Sequence, residues 1–210
     1  MDCSKRFTSG SQGYDRAFKA LSNQDEFDIN LLVTPGLSLD LHRSVINLGV
    51  DLCETREDCF YILDCVQASG QPGLVDEAVL QASTIDSNYA ATYYPWVKII
   101  DPATNALQPF PPSAIMPAVY ASNDKTAAEW FAPAGLNRGG LEGAVSVLDR
   151  LTFAERDTLY DGRVNPIATF ASEGIKIWGN KTLQVKDTAL NRINVRRLLL
   201  QARKLISAVS

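Results

Sequence analysis

Apolar and polar positions along the chain fall into short segments of two different periods. Residues 1–25 are polar and glycine-spotted and predict a loose N-terminal arm, with the folded α/β domain spanning 26–210. DINLLVTPG carries an apolar run from Ile29 to Val33 that halts at Pro35-Gly36, the pattern of a buried strand closed by a turn. Through LHRSVINLGVDLCETRED, Val45, Leu48, Gly49 and Leu52 recur at helical spacing. FYILDCV is short, apolar and rich in strand formers; DEAVLQASTID predicts a short helix; NYAATYYPWVKIIDP predicts a strand ending at Asp101-Pro102. Strand and helix alternating in this order require crossover connections. The predicted class is therefore α/β, a mixed, partly parallel sheet flanked by helices on both faces.

The second half is less regular. PFPPSAIMPAVYASNDK opens on prolines that suit a first helical turn, residues 132–143 form a Gly/Pro-rich loop, and GAVSVLDRL predicts a strand or short helix. In TFAERDTLYDG, Thr152 stands three residues before Glu155, a capping-box spacing. VNPIATF and GIKIWGNKTLQV read as strands, and Tyr93, Tyr94, Pro95, Trp96 and Trp178 are expected in the core. A long helix over about 190–209 carries Val195, Leu198, Leu199, Ala202, Leu205, Ile206 and Val209 on one stripe.

Composition narrows the function classes. With 210 residues, 46% hydrophobic and 21% charged, the chain has the makeup of an ordinary globular protein, and a net charge of -4 leaves it without a nucleic-acid footprint. No segment has the length and apolarity of a signal peptide or a membrane span. Cys3, Cys53, Cys59 and Cys65 lack C-x-x-C spacing, and His42 is the sole histidine, so reduced structural thiols and a metal-free, cytosolic protein are expected.

Three candidate sites merit weighing. GIKIWGNKT approximates the phosphate-loop pattern G-x-x-x-x-G-K-[ST], with Gly174, Gly179, Lys181 and Thr182. Asn180 makes the lysine one residue late, and Ile175, Lys176, Ile177 and Trp178 alternate as a half-buried strand does. No nucleotide cofactor follows from it, and a mononucleotide-binding α/β enzyme is the remote alternative. The acidic group Asp51, Glu54, Glu57, Asp58 reads as a solvated helix face near Arg56, and no Cys–His pair or G-x-S-x-G elbow supports nucleophilic catalysis. The last helix is more informative. Arg192, Arg196 and Arg197 stand in its first turns, where the macrodipole disfavours cations. They call for partners, either carboxylates of this domain or an acidic surface on another molecule.

Taken together, DINLLVTPG (28–36), YYPWVKIIDP (93–102), PPSAIMPAVYA (111–121), WFAPAG (130–135), LNRGGLEGAV (136–145), IKIWGNKTL (175–183) and NRINVRRLL (191–199) resemble the contractile tail sheath proteins of myophages and related contractile injection machines. The resemblance covers roughly residues 25–210. It implies a structural, non-enzymatic virion protein without cofactor: a subunit, or its central portion, that polymerises around an inner tail tube and repacks on contraction. Other sheath subunits, the tube protein, and the baseplate and tail terminator proteins are the implied partners, with no nucleic acid and no membrane. Assembly in the host cytoplasm is implied as well. Family members usually extend beyond both ends of this stretch, so the chain reads as the central part of a subunit, expected to be a monomer or weak oligomer alone. On this reading Arg192, Arg196 and Arg197 are candidates for contact with a neighbouring subunit or the tube. An outward-facing peptide- or host-surface-binding module is the rival.

Overall fold

A computed structural model describes residues 3–68 and 73–209. The polar N-terminal stretch is not a loose arm where it is described: Cys3–Leu21 form a helix, α1. Tyr14, Phe18 and Leu21 recur at i, i+4, i+7 and lie in or against the core, with Phe18 buried. Polar composition hid this narrow stripe. Residues 1 and 2 and the Cys3 side chain lie outside the described residues.

Next come β1 (Leu31–Ser38), α2 (Leu39–Arg56), β2 (Phe60–Asp64), α3 (Val75–Ser83) and β3 (Ala90–Tyr94). β1 does not stop at Pro35-Gly36. Its register with β2 is interrupted there, Gly36 takes φ 88°, and pairing resumes at Ser38 opposite Asp64. The missing N–H of Pro35 falls at this irregularity in β1, which is an edge strand. The single strand expected through NYAATYYPWVKIIDP is two: β3, then β4 (Val97–Ile100), which belongs to a second sheet. Pro95, joined to Tyr94 by a cis bond, has no N–H to continue the first ladder.

The rest is β5 (Leu107–Phe110), α4 (Pro112–Thr126), β6 (Ala144–Val147), α5 (Phe153–Asp161), β7 (Val164–Phe170), β8 (Gly174–Ile177) and α6 (Ile193–Val209). α5 starts at the capping box: the Thr152 hydroxyl accepts from the Glu155 N–H while the Glu155 carboxylate accepts from the Thr152 N–H.

The main sheet has the order β1-β2-β3-β7-β8, parallel through β7 and antiparallel at β8. The second sheet, β5-β4-β6, is antiparallel. All of β2 and β3 is buried, as a sheet covered on both faces demands. Tyr61 and Leu63 join Cys53, Ala78 and Leu159 on one side, whereas Phe60 and Ile62 meet Met116, Tyr120, Ile193 and Leu200 on the other. Thus α1, α2, α3 and α5 cover one face, and α4 and α6 the opposite one. α2 lies close because Gly49 faces the Tyr61 ring: a Cβ there would sit 2.9 Å from Cε1. Trp178 departs from expectation. It is 42% exposed, its ring tilted against Phe170 on the surface, and Trp96 is only half-buried.

Candidate functional site

The strand order runs 1-2-3-7 in one direction, so the parallel sheet has no reversal point at which α/β proteins open a ligand crevice beyond their strand ends. The phosphate-loop lookalike is equally closed. Residues Gly174–Ile177 are β8, and the following amides are already engaged. Lys181 N–H donates to the Asn165 side chain at 2.7 Å, Thr182 N–H to Asn191 O at 2.9 Å and Leu183 N–H to Ala90 O at 2.9 Å. A Cβ on Gly179 would lie 2.6 Å from Asn165 Oδ1, so this glycine serves close packing of the turn on β7. Beyond Thr182 the chain does not continue as a strand. It loops through a short 3-10 turn over 189–191 and returns to bridge Lys181 from Arg192.

The acidic group divides. Asp51 and Glu54 are exposed on α2, Glu57 pairs with Arg203, and Asp58 accepts two bonds from Arg56 at 2.8 and 2.7 Å. Arg56, 1% exposed, also donates to the carbonyls of Leu21 and Phe27, a buried clamp the sequence did not reveal. Cys53 and Cys59 face each other with Sγ atoms 3.3 Å apart, both buried, and burial pushes the Cys65 thiol up to about 12. His42 contacts the backbone of Ser38, eleven residues ahead of Cys53 and so roughly 16 Å away along a helix. Among the described residues no group of three or more His, Cys, Asp or Glu could hold a metal ion, and no helix is long and apolar enough to cross a membrane.

The arginines of α6 are placed differently from one another. Arg197, 7% exposed, donates through both terminal nitrogens to Asp124 on α4, at 2.9 Å for Nη1, and stacks 4.7 Å from the Tyr120 ring. Burial works against its charge, but the Asp124 pairing outweighs it and holds the pKa above the ordinary value. Arg196, 8% exposed, has no carboxylate. It donates to Asn88 Oδ1, lies 4.1 Å over the Tyr89 ring and leaves Nε unpaired, and burial lowers its pKa. Arg192 is exposed and hydrogen-bonded to the Tyr160 hydroxyl. Farther along, Arg203 meets Glu57, and Lys204 reaches Asp28 and the Ile29 carbonyl. α6 is thereby strapped by its cations across the starts of β1, β2 and β3. Its apolar stripe faces away from the domain, with Leu205 60% and Ile206 70% exposed. A fully buried acid, Asp64 at the end of β2, accepts from the Ser113 N–H at 3.0 Å and hydroxyl at 2.5 Å, fixing the start of α4. Burial pushes its carboxyl up to about 7 against the pull of those two bonds. Asp124, Tyr89 and Tyr120 carried no sequence signal, because they lie more than seventy residues from the arginines they hold.

A sheet covered on both faces, with Arg56, Arg197, Arg203 and Lys204 tying its helices to neighbouring segments, defines a layered α/β domain. The family model described as "Phage tail sheath protein central domain" matches residues 8–183, and the chain belongs to that family. It is 34% identical over 125 residues to the tail sheath protein of Vibrio phage KVP40, covering 60% of this chain and 18% of that protein. It is 26% identical over 195 residues to the tail sheath protein of Salmonella phage ViI, covering 92% and 31%. Among solved structures it is similar to an extracellular contractile injection system, the PVC sheath complex in the contracted state. There the TM-score is 0.71 at 27% identity, over 91% of this chain and 50% of the other. The chain spans less than a third of the length of these two curated relatives.

Proposed function

We propose that this chain forms the central body of a contractile tail sheath subunit, a non-enzymatic part that polymerises around an inner tail tube and drives it through the host envelope on contraction. The observation that carries the reading is the central-domain match over residues 8–183, supported by the fold shared with a contracted sheath complex. The architecture suits the task. Two faces of packed helices and a buried clamp make a body that moves as a unit, so contraction occurs by shifts between bodies. Other sheath subunits and the tube protein are the partners, the baseplate and tail terminator proteins bound the stack, and assembly takes place in the host cytoplasm. Arg192, exposed at the start of α6, is the member of the arginine trio positioned to reach a neighbouring subunit or the tube, while Arg196 and Arg197 hold the helix itself.

Immunogold electron microscopy of tail particles with an antibody against this chain tests the assignment. Label along the whole shaft, following the shortened outer layer after contraction, is expected. Label confined to the distal tip would favour a host-surface-binding module, and unlabelled tails would remove the assignment.

A further inference from the structure

Two thiols lie buried beside the Arg56 clamp. Cys53 stands in the last turn of α2 and Cys59 directly before β2. Between them Glu57 takes the left-handed conformation, φ 56°, and its N–H donates to the Cys53 carbonyl at 2.9 Å. That turn folds the chain back on the helix and sets the two Sγ atoms 3.3 Å apart, in one apolar cluster with Phe18 of α1. Both side chains are 0% exposed. The pair is chemically unequal. A hydrogen bond from the Cys53 S–H holds the Cys59 thiol below its ordinary value, and the Arg56 guanidinium also favours the thiolate, against burial and the Asp58 carboxylate. Cys53 is pushed up by the same hydrogen bond and by its burial. Cys59 is thus the nucleophile and Cys53 the thiol that resolves. Cys65 lies beyond the other end of β2, and burial, by pushing its thiol up to about 12, leaves it inert.

We propose that Cys53 and Cys59 are a peroxide-sensitive dithiol, which closes to an intrachain disulfide and staples the end of α2 to the start of β2. Sulfurs already in contact need only a small side-chain shift to bond. The oxidant is a small peroxide, because a molecule little larger than water reaches a buried sulfur through brief local openings. The Cys59 thiolate attacks one peroxide oxygen. The O–O bond breaks, and the departing hydroxide takes up the proton that Cys59 released, giving water and a sulfenic acid. The Cys53 sulfur then attacks the Cys59 sulfur. The S–S bond forms as the S–O bond breaks, and the hydroxyl leaves with the Cys53 proton as a second water. Two thiols are oxidised by two electrons in all, and one peroxide is reduced to two waters. The chain folds with both thiols reduced in a reducing compartment and acquires the cross-link where it meets peroxide. The bond spans Arg56, so it fastens from the apolar side the corner that the guanidinium holds from the polar side. The inference rests on the geometry of this chain alone and not on the sheath assignment.

The test treats the reduced 210-residue chain with hydrogen peroxide, quenches it with catalase and alkylates it in urea. Mass spectrometry should show two fewer alkylated cysteines and the loss of two hydrogen atoms. Trypsin cuts after Arg43, Arg56 and Lys98, so peptides 44–56 and 57–98 should stay joined until dithiothreitol is added. Fragmentation should place the bond at Cys59 rather than Cys65. Closing so short a loop should raise the folding equilibrium in urea about fiftyfold over the reduced chain. Cys53→Ala should halt at a Cys59 sulfenic acid that dimedone traps, and Cys59→Ala should leave Cys53 unmodified under the same treatment. Cys53→Ser and Cys59→Ser serve where circular dichroism shows an alanine variant unfolded, and the wild-type peptide map decides without either. An unchanged thiol count, a bond that involves Cys3 or Cys65 instead, a dimedone adduct on Cys53 in Cys59→Ala, or an oxidised chain that unfolds together with the reduced one overturns the proposal. Each of these results leaves the gold-label test of the sheath assignment untouched.

Discussion

Replacing Arg56 by methionine should cost this domain about 3 kcal/mol and loosen its N-terminal helix first. The guanidinium is buried between the end of α2 and the chain leading into β1. It gives Asp58 two parallel bonds at 2.8 and 2.7 Å, gives Phe27 O one at 2.8 Å, and reaches Leu21 O. Bonds involving a charged group contribute about 1.5–3 kcal/mol each, yet those sharing one guanidinium do not add. Removing one partner of a buried pair costs about 3–5 kcal/mol. Asp58 retains 13% of its side-chain exposure, which lets water take over part of its carboxylate and places the expectation at the lower end. Methionine keeps the apolar stem, so the loss reports the polar contacts rather than a cavity. Urea denaturation should show the folding equilibrium falling by about a hundredfold with an unchanged m value. Limited proteolysis should open the 22–30 segment before the rest, because the Leu21 and Phe27 carbonyls are what Arg56 holds there. Adding Asp58→Leu to Arg56→Met removes the stranded carboxylate and should restore much of the loss. A single variant that loses less than about 1 kcal/mol, with residues 22–30 still protected, would refute the clamp.

Two further outcomes follow from named groups. Asp64 holds its proton up to about pH 7 in the folded state, whereas the unfolded chain releases it near pH 4, so the folded state binds more protons between those values. Stability should therefore fall as pH rises through that window and level off above it. Asp64→Asn should flatten this slope in urea midpoints, and an unaltered slope would show that another group titrates. Thr152→Ala should weaken the start of α5 by about 1 kcal/mol, seen as faster amide exchange over residues 153–157. Exchange at the wild-type rate there would mean that the capping box contributes nothing.

How far function could be read from the chain differs from one motif to the next. The failure of the phosphate loop was legible at Ile175 and Ile177, because alternation of bulky residues specifies a strand before any partner is known. The family was legible from the ordered set of motifs between DINLLVTPG and NRINVRRLL, and the central-domain match bears it out. The need of the α6 arginines for partners was legible from their dipole-opposed positions, but Asp124 and Tyr89 were not, since nothing local links residues so far apart.

Alternation, helical spacing and the Thr152–Glu155 signature thus settled by themselves the α/β class, most of the elements and the start of α5, because each depends on contacts within a few residues of chain. The helical N-terminus, the break of the third strand into two sheets at Pro95, the surface position of Trp178 and the outward turn of the α6 stripe were decided only by tertiary structure. For α6 the physical reason is plain. A stripe of leucines and a row of arginines compete for the same side of the sheet, and the carboxylates and tyrosines that happen to lie opposite draw the arginines inward and leave the leucines outside.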